Sequence, residues 1–137
     1  MNKKFLMAWV VAFIVWMVGD FLVHGLWLAP RYMALASLYR PEADQAAYMP
    51  WMIGAHALLA GGVAWIYARG VNASPWLGQG LRFGLALAFV VAPSYLIYYS
   101  IQPLPRSLVA MQGIGCGVTM LVLGAAMGFV HKGAAKA

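Results

Sequence analysis

The sequence predicts an all-α integral membrane protein, an antiparallel four-transmembrane-helix bundle with a short interfacial helix in the first external loop. Hydrophobic residues make up 64% of the 137 residues and charged residues only 9%, and the mean hydropathy is +0.79. A soluble domain carries about 25% charged residues to coat its surface, so the outside of this chain is expected to face lipid. The apolar residues are gathered into four segments of membrane-spanning length, which indicates four helices.

Spans are predicted at about 5–28, 51–68, 83–101 and 108–130, in a single transmembrane domain covering residues 1–137. A helix needs roughly 17–25 residues to cross a hydrocarbon core of about 30 Å. Only helices and closed barrels satisfy every backbone amide in lipid, and since no segment alternates with period two, a barrel is excluded. The first span is too long for the apolar region of a signal peptide, about 7–15 residues, so we expect it to remain uncleaved.

The three connections differ in character. The first, bracketed by Pro30 and Pro50, is predicted to contain a short interfacial helix because apolar side chains recur in it at helical spacing; these are Tyr32, Leu35, Leu38 and Tyr39. The second, from about 69 to 82, holds an Asn-Ala-Ser-Pro sequence and is typical of a turn. The third is a tight segment in which Pro103 and Pro105 end the preceding helix.

The positive charge predicts the orientation in the membrane. The formal net charge is +6, but the nine Lys and Arg residues are scattered and form no stripe, which argues against a nucleic-acid partner. Six of them fall on one side of the predicted spans: Lys3, Lys4, Arg69, Arg82, Lys132 and Lys136. The positive-inside rule then places both termini in the cytoplasm.

Glycines mark the expected helix contacts. Pairs four residues apart allow two helix backbones to approach closely, and three such pairs occur, namely Gly80 with Gly84, Gly113 with Gly117, and Gly124 with Gly128. We expect the glycine-rich face of the fourth span to pack against another helix.

Six polar side chains in or near the spans are predicted to lie at one depth: Asp20, His24, His56, Tyr95, Tyr98 and Gln112. Asp20 and His24 are four residues apart and therefore share a helix face. At 1.5 Å per residue, and with successive spans antiparallel, these residues lie ~5–12 Å below the outer surface. An ionisable residue in a span costs about 2.5–3.5 kcal/mol on insertion scales and usually faces the protein interior. We therefore expect a polar cluster in the outer half of the bilayer.

Four interpretations of this cluster stay open. The first is a structural network that fixes helix packing, and the second is a small-ligand site walled by aromatic side chains. The third is a haem b site between His24 and His56, which are predicted to lie at similar depth on neighbouring spans. The fourth is a transition-metal site formed by Asp20, His24 and His56, since imidazole and carboxylate suit such ions.

The leading functional hypothesis is a non-enzymatic one. The sequence contains no nucleophile elbow, zinc-protease motif, phosphate loop or paired carboxylates. We expect a small polytopic protein, surrounded by membrane lipid, that binds a small ligand or supports a larger membrane complex through the polar cluster. Partners would then include other membrane proteins or a second copy of the chain. The alternative is a haem- or metal-binding redox component.

The segment from Trp16 to Gly25, WMVGDFLVHG, followed by Leu28 and Tyr32, resembles a pattern in small four-span bacterial inner-membrane proteins of unknown function. The resemblance covers mainly the first third of the chain and the four-span layout. It implies a bacterial inner-membrane location and carries no implication for chemistry.

Overall fold

A computed structural model describes residues 2–133, and in this range the chain forms helices and turns without a β-strand. Six α-helices follow one another along the chain: α1 (Lys3–Asp20), α2 (Ala29–Met33), α3 (Glu42–Arg69), α4 (Trp76–Val91), α5 (Ser94–Ile101) and α6 (Arg106–Val130). A π-helical segment, Phe21–Trp27, continues α1, and a 3₁₀ turn, Ala36–Leu38, follows α2.

Four helical stretches are long and apolar enough to cross a membrane: Lys3–Trp27, Glu42–Arg69, Trp76–Ile101 and Arg106–Val130. They correspond to the four predicted spans, and the predicted all-helical class is confirmed. The short helix expected in the first connection is also present, as α2 and the turn that follows it.

The second span begins earlier than the sequence indicated. Pro50 was expected to lie outside the helix, but α3 starts at Glu42 and includes Pro50. Proline removes one helical hydrogen bond by lacking an N–H. Every residue from 41 to 55 is exposed, so the freed carbonyl has room to find another partner there. Glu42 and Asp44 lie in the first turn, where negative side chains favour the positive end of the helix dipole.

The third span is interrupted. A turn at Ala92 and Pro93 separates α4 from α5. Pro93 has no N–H to donate into the preceding turn, which ends the regular α4 ladder. The Ser94 hydroxyl donates instead to the Val91 carbonyl oxygen, at 2.7 Å, and so satisfies a carbonyl at the break.

Helices α4 and α6 form the most extensive contact, and glycines make it possible. A Cβ on Gly80 would lie 2.5 Å from the Gly124 carbonyl oxygen, and a Cβ on Gly128 would overlap the Trp76 carbonyl oxygen. The pairs Gly80 with Gly84 and Gly124 with Gly128 therefore act as predicted. The pair Gly113 with Gly117 does not: a Cβ on either would meet nothing within 4 Å.

Helix α1 packs on both α3 and α6. Its small residues Ala8 and Ala12 are fully buried, and Gly19 faces Thr119 of α6. On the α3 side, the Trp9 indole N–H donates to the Ala57 carbonyl oxygen at 2.7 Å. Among the described residues, the extensive contacts therefore place the helices side by side in the order α3, α1, α6, α4. Helix α5 also packs on α6.

Candidate functional site

The π-helical segment brings His24 to the centre of the polar cluster. The Leu28 amide donates to the Val23 carbonyl five residues earlier, at 2.9 Å, which is the π-helical spacing. A wider turn changes the direction of each side chain relative to an α-helix. His24 consequently faces Tyr32 of α2 and Tyr95 of α5 rather than pairing with Asp20 one turn before it.

A hydrogen-bonded network joins four parts of the chain. His24 Nδ1 lies 2.6 Å from the Tyr32 hydroxyl, and His24 Nε2 lies 3.2 Å from the Tyr95 hydroxyl. The Gln112 amide of α6 donates to the Tyr32 hydroxyl at 3.1 Å. The His24 ring also stacks on the Tyr32 ring, with centroids 6.0 Å apart. Tyr32 is therefore the junction between the first span and α6.

One arrangement of donors satisfies this network. An amide nitrogen only donates, so the Tyr32 oxygen accepts from Gln112. When the Tyr32 hydroxyl donates to His24 Nδ1, His24 carries its proton on Nε2 and donates to Tyr95. Burial raises the pKa of the Tyr32 phenol, which keeps its hydroxyl protonated and able to donate.

Gln112 is left with an unpaired acceptor. Its side chain is only 7% exposed, and its Oε1 atom is buried without a hydrogen-bond partner. An unsatisfied buried polar group costs about 1–3 kcal/mol. The Gln112 oxygen therefore remains available as a hydrogen-bond acceptor inside the cluster.

A second polar pair joins the first two spans. His56 Nε2 of α3 lies 2.8 Å from Oδ2 of Asp20, and His56 Nδ1 lies 2.8 Å from the Met52 carbonyl oxygen. The His56 side chain is 11% exposed, whereas Asp20 retains 32% of its side-chain exposure. The edge of the Trp16 ring packs against the His56 ring, with centroids 6.0 Å apart.

The six predicted cluster residues are thus brought together in part. Asp20 and His56 form one pair, and His24, Tyr95 and Gln112 belong to the network around Tyr32. Asp20 and His24 are four residues apart on the first helical stretch, so the two groups lie next to each other. Tyr98 is 51% exposed and is the least engaged of the six.

Tyr32 is the residue that the sequence interpretation missed as a member of the cluster. It was assigned to the interfacial helix as one of several apolar positions. Its place eight residues after His24, just past Pro30, was the available signal, since a helix that folds back at the end of a span brings its first turn over that span.

The arrangement of Asp20, His24 and His56 does not fit a binding site for a metal ion or a haem. Within the described range, no group of three or more His, Cys, Asp and Glu side chains is arranged to hold a metal ion. Asp20, His24 and His56 therefore do not converge as a ligand set. Both ring nitrogens of His24 and both of His56 are engaged by protein atoms, so neither histidine offers a free nitrogen to haem iron.

An apolar groove of about 530 Å³ lies beside the network, between α4–α5 and α6. Gly113 and Gly117 form part of its wall, together with Phe89, Pro93 and Ile114, and Tyr95 lines it as well. A Cβ on Gly113 or Gly117 would meet no atom within 4 Å because both glycines border this groove. Tyr95 thus has its ring at the groove and its hydroxyl in the polar network.

Comparison with known proteins gives no identity. No protein-family model, no curated protein and no solved structure matches this chain.

Proposed function

We propose that this chain is an antiparallel four-span protein of the bacterial inner membrane, with both termini in the cytoplasm, and that it binds a small ligand through its outer-leaflet polar cluster without catalysing a reaction. The tight connection from Gln102 to Pro105 between α5 and α6 supports the antiparallel order, because short loops join antiparallel neighbours in helix bundles. The cation distribution supports the orientation.

The ligand proposal rests on the partial exposure of the Asp20 carboxyl group. Its Oδ2 is bound by His56, while a third of its side chain stays exposed. A carboxyl group within a span faces the protein interior or a water-filled cavity, because hydrocarbon does not solvate it. The exposed part of Asp20 therefore needs water, a ligand or another protein beside it.

The contact pattern supports an approach from between the second and third spans. Helix α3 packs extensively on α1, and α5 packs on α6, while α3 makes no extensive contact with α5 among the described residues. We propose that a molecule entering there reaches the exposed part of Asp20. Gln112 Oε1 offers a second acceptor deeper in the cluster. Both groups accept hydrogen bonds, so the ligand is expected to carry hydroxyl, amine or amide donors.

Native mass spectrometry of the full chain released from lipid nanodiscs tests this proposal, followed by solvent extraction and identification of the retained molecules. We expect the wild type to retain a small polar molecule that Asp20→Ala loses. Tyr67→Phe is the matched control, because the Tyr67 hydroxyl is buried and unpaired outside the cluster. The same retained molecules in wild type and Asp20→Ala would contradict ligand binding at this site.

A second candidate function, support of a larger membrane complex, is favoured by the first half of α3. Residues 42–55 are all exposed, and they include the large apolar side chains of Met49, Trp51 and Ile53. Trp51 is 77% exposed. Photo-crosslinking from position 51 in cells tests this function: a crosslinked protein partner supports a complex, and crosslinks to lipid alone would contradict it.

A further inference from the structure

His56 lies between two hydrogen-bond acceptors. Its Nδ1 atom faces the Met52 carbonyl oxygen and its Nε2 atom faces Asp20 Oδ2, each at 2.8 Å. A carbonyl oxygen only accepts, and so does an ionised carboxylate. A neutral imidazole has a single N–H and satisfies one of these contacts. The other contact would then bring a nitrogen lone pair against an oxygen lone pair.

From this geometry we infer that Asp20 and His56 form a proton-binding site, with one proton held between Nε2 and Oδ2 in addition to the proton on Nδ1. The shared proton belongs to an imidazolium that donates to a carboxylate, or to a carboxylic acid that donates to an imidazole. The pair is electrically neutral in both arrangements.

Neutrality agrees with the surroundings of Asp20. No lysine or arginine forms an ion pair with it in residues 2–133, and its one salt-bridge contact there is with His56. The other titratable groups around Asp20 that interact with it electrostatically are His24, Tyr32, Tyr95 and Cys116. Of these only His24 can become cationic, and its ring nitrogens are held by the two tyrosines. The proton on the pair therefore supplies the compensation that an acidic residue in a span requires.

The position of the pair gives the proton a mechanical consequence. Residues 41–55 are exposed, and packing of α3 on the bundle begins with His56 and Ala57. The Asp20–His56 contact is the outermost side-chain hydrogen bond between α1 and α3 in the described chain, followed by the bond from Trp9 to the Ala57 carbonyl. Loss of the shared proton leaves one N–H for two acceptors, so one of the two contacts that hold the His56 ring, to Asp20 or to the Met52 carbonyl oxygen, becomes repulsive. Proton occupancy therefore controls how firmly the first half of α3 is held to α1.

Nuclear magnetic resonance tests the proton directly, on the full chain in lipid bilayers with ¹⁵N-labelled histidine and ¹³C-labelled aspartate. The His56 signals are assigned by their loss in His56→Gln. We expect two ring N–H groups with an ionised Asp20, or one N–H on Nδ1 with a protonated Asp20. A singly protonated His56 beside an ionised Asp20 would overturn the inference.

Asp20→Asn is the matched variant, because the asparagine amide donates to Nε2 without an extra proton. We expect a neutral His56 in it, with the contact preserved. The consequence for α3 is measured by amide hydrogen exchange of residues 53–60 over a pH series. The ratio of wild-type to Asp20→Asn exchange rates should rise several-fold at the pH where the wild-type pair loses its proton. A flat ratio through that pH would contradict control of α3. Neither measurement involves the proposed ligand, so the proton site and ligand binding succeed or fail separately.

Discussion

Gly124 of α6 faces Gly80 of α4 so closely that a Cβ on Gly124 would overlap the Gly80 carbonyl oxygen. The same Cβ would lie 2.5 Å from the Gly84 amide nitrogen. The two backbones touch over this stretch, and this contact positions α4 and, beyond the turn at Pro93, α5 with Tyr95. The polar cluster thus depends on a glycine contact elsewhere on the same two spans.

Gly124→Ala is expected to destabilise the protein, while Gly117→Ala is not. The added methyl at position 124 collides with backbone atoms that cannot rotate away, and overpacking of this kind typically costs about 1–3 kcal/mol. At position 117 the methyl enters open space. Thermal unfolding in detergent measures both, and equal melting temperatures for the two variants would contradict the packing. The sequence predicted a helix contact at Gly113 and Gly117 as well, and the structure revises that prediction.

Tyr32→Phe should destabilise the network in a way that Gln112→Leu partly relieves. Removing the Tyr32 hydroxyl leaves the Gln112 amide buried without its acceptor, and replacing Gln112 as well removes the unsatisfied group. Interhelical hydrogen-bond cycles in membranes give about 0.6 kcal/mol on average and about 1.7 at most, and we expect coupling in that range. A double-mutant cycle by reversible unfolding measures it. Additive single effects would show that the Tyr32–Gln112 bond contributes no stability.

Tyr39→Phe should leave stability at neutral pH unchanged or slightly higher, because the Tyr39 hydroxyl is buried without a partner. Burial raises the pKa of the Tyr39 phenol, so the folded protein holds this proton more tightly than the unfolded chain does. The associated stability is complete below the unfolded value of about 10 and is lost as pH rises above it. Wild type should therefore lose more stability than Tyr39→Phe between neutral and strongly alkaline pH, measured by thermal unfolding. An identical decline in the two proteins would rule out this titration.

Both termini are predicted to lie in the cytoplasm. Reporter fusions active on only one side of the membrane, placed after Asn72 and at the C-terminus, should report the cytoplasm, and a fusion after Pro103 should report the opposite side. The cations near Arg69 and Arg82 provide the physical reason. A C-terminal fusion active outside the cytoplasm would contradict this topology.

The sequence was sufficient for properties that depend on position along one helix. Apolar length predicted four helices of spanning size, Pro103 and Pro105 predicted the tight third connection, and the spacing of Gly80 with Gly84 and Gly124 with Gly128 predicted a close contact. The axial rise of a helix is nearly constant, so the sequence also predicts the depth of each polar residue in the membrane. The hydrogen bonds from Asp20 to His56 and between His24 and Tyr95 join residues that were predicted to lie within one narrow layer.

The choice of partner within that layer required the folded chain. Asp20 and His24, four residues apart, were expected to share a face, but the π-helical segment directs His24 to Tyr32 and Tyr95 and leaves Asp20 to His56. Gly113 and Gly117 have the same spacing as the packed glycines, yet they border a groove. The direction in which a side chain points depends on local helix winding and on the rotation of each helix against its neighbours. These are set by contacts between residues far apart in the chain, and spacing within one segment does not record them.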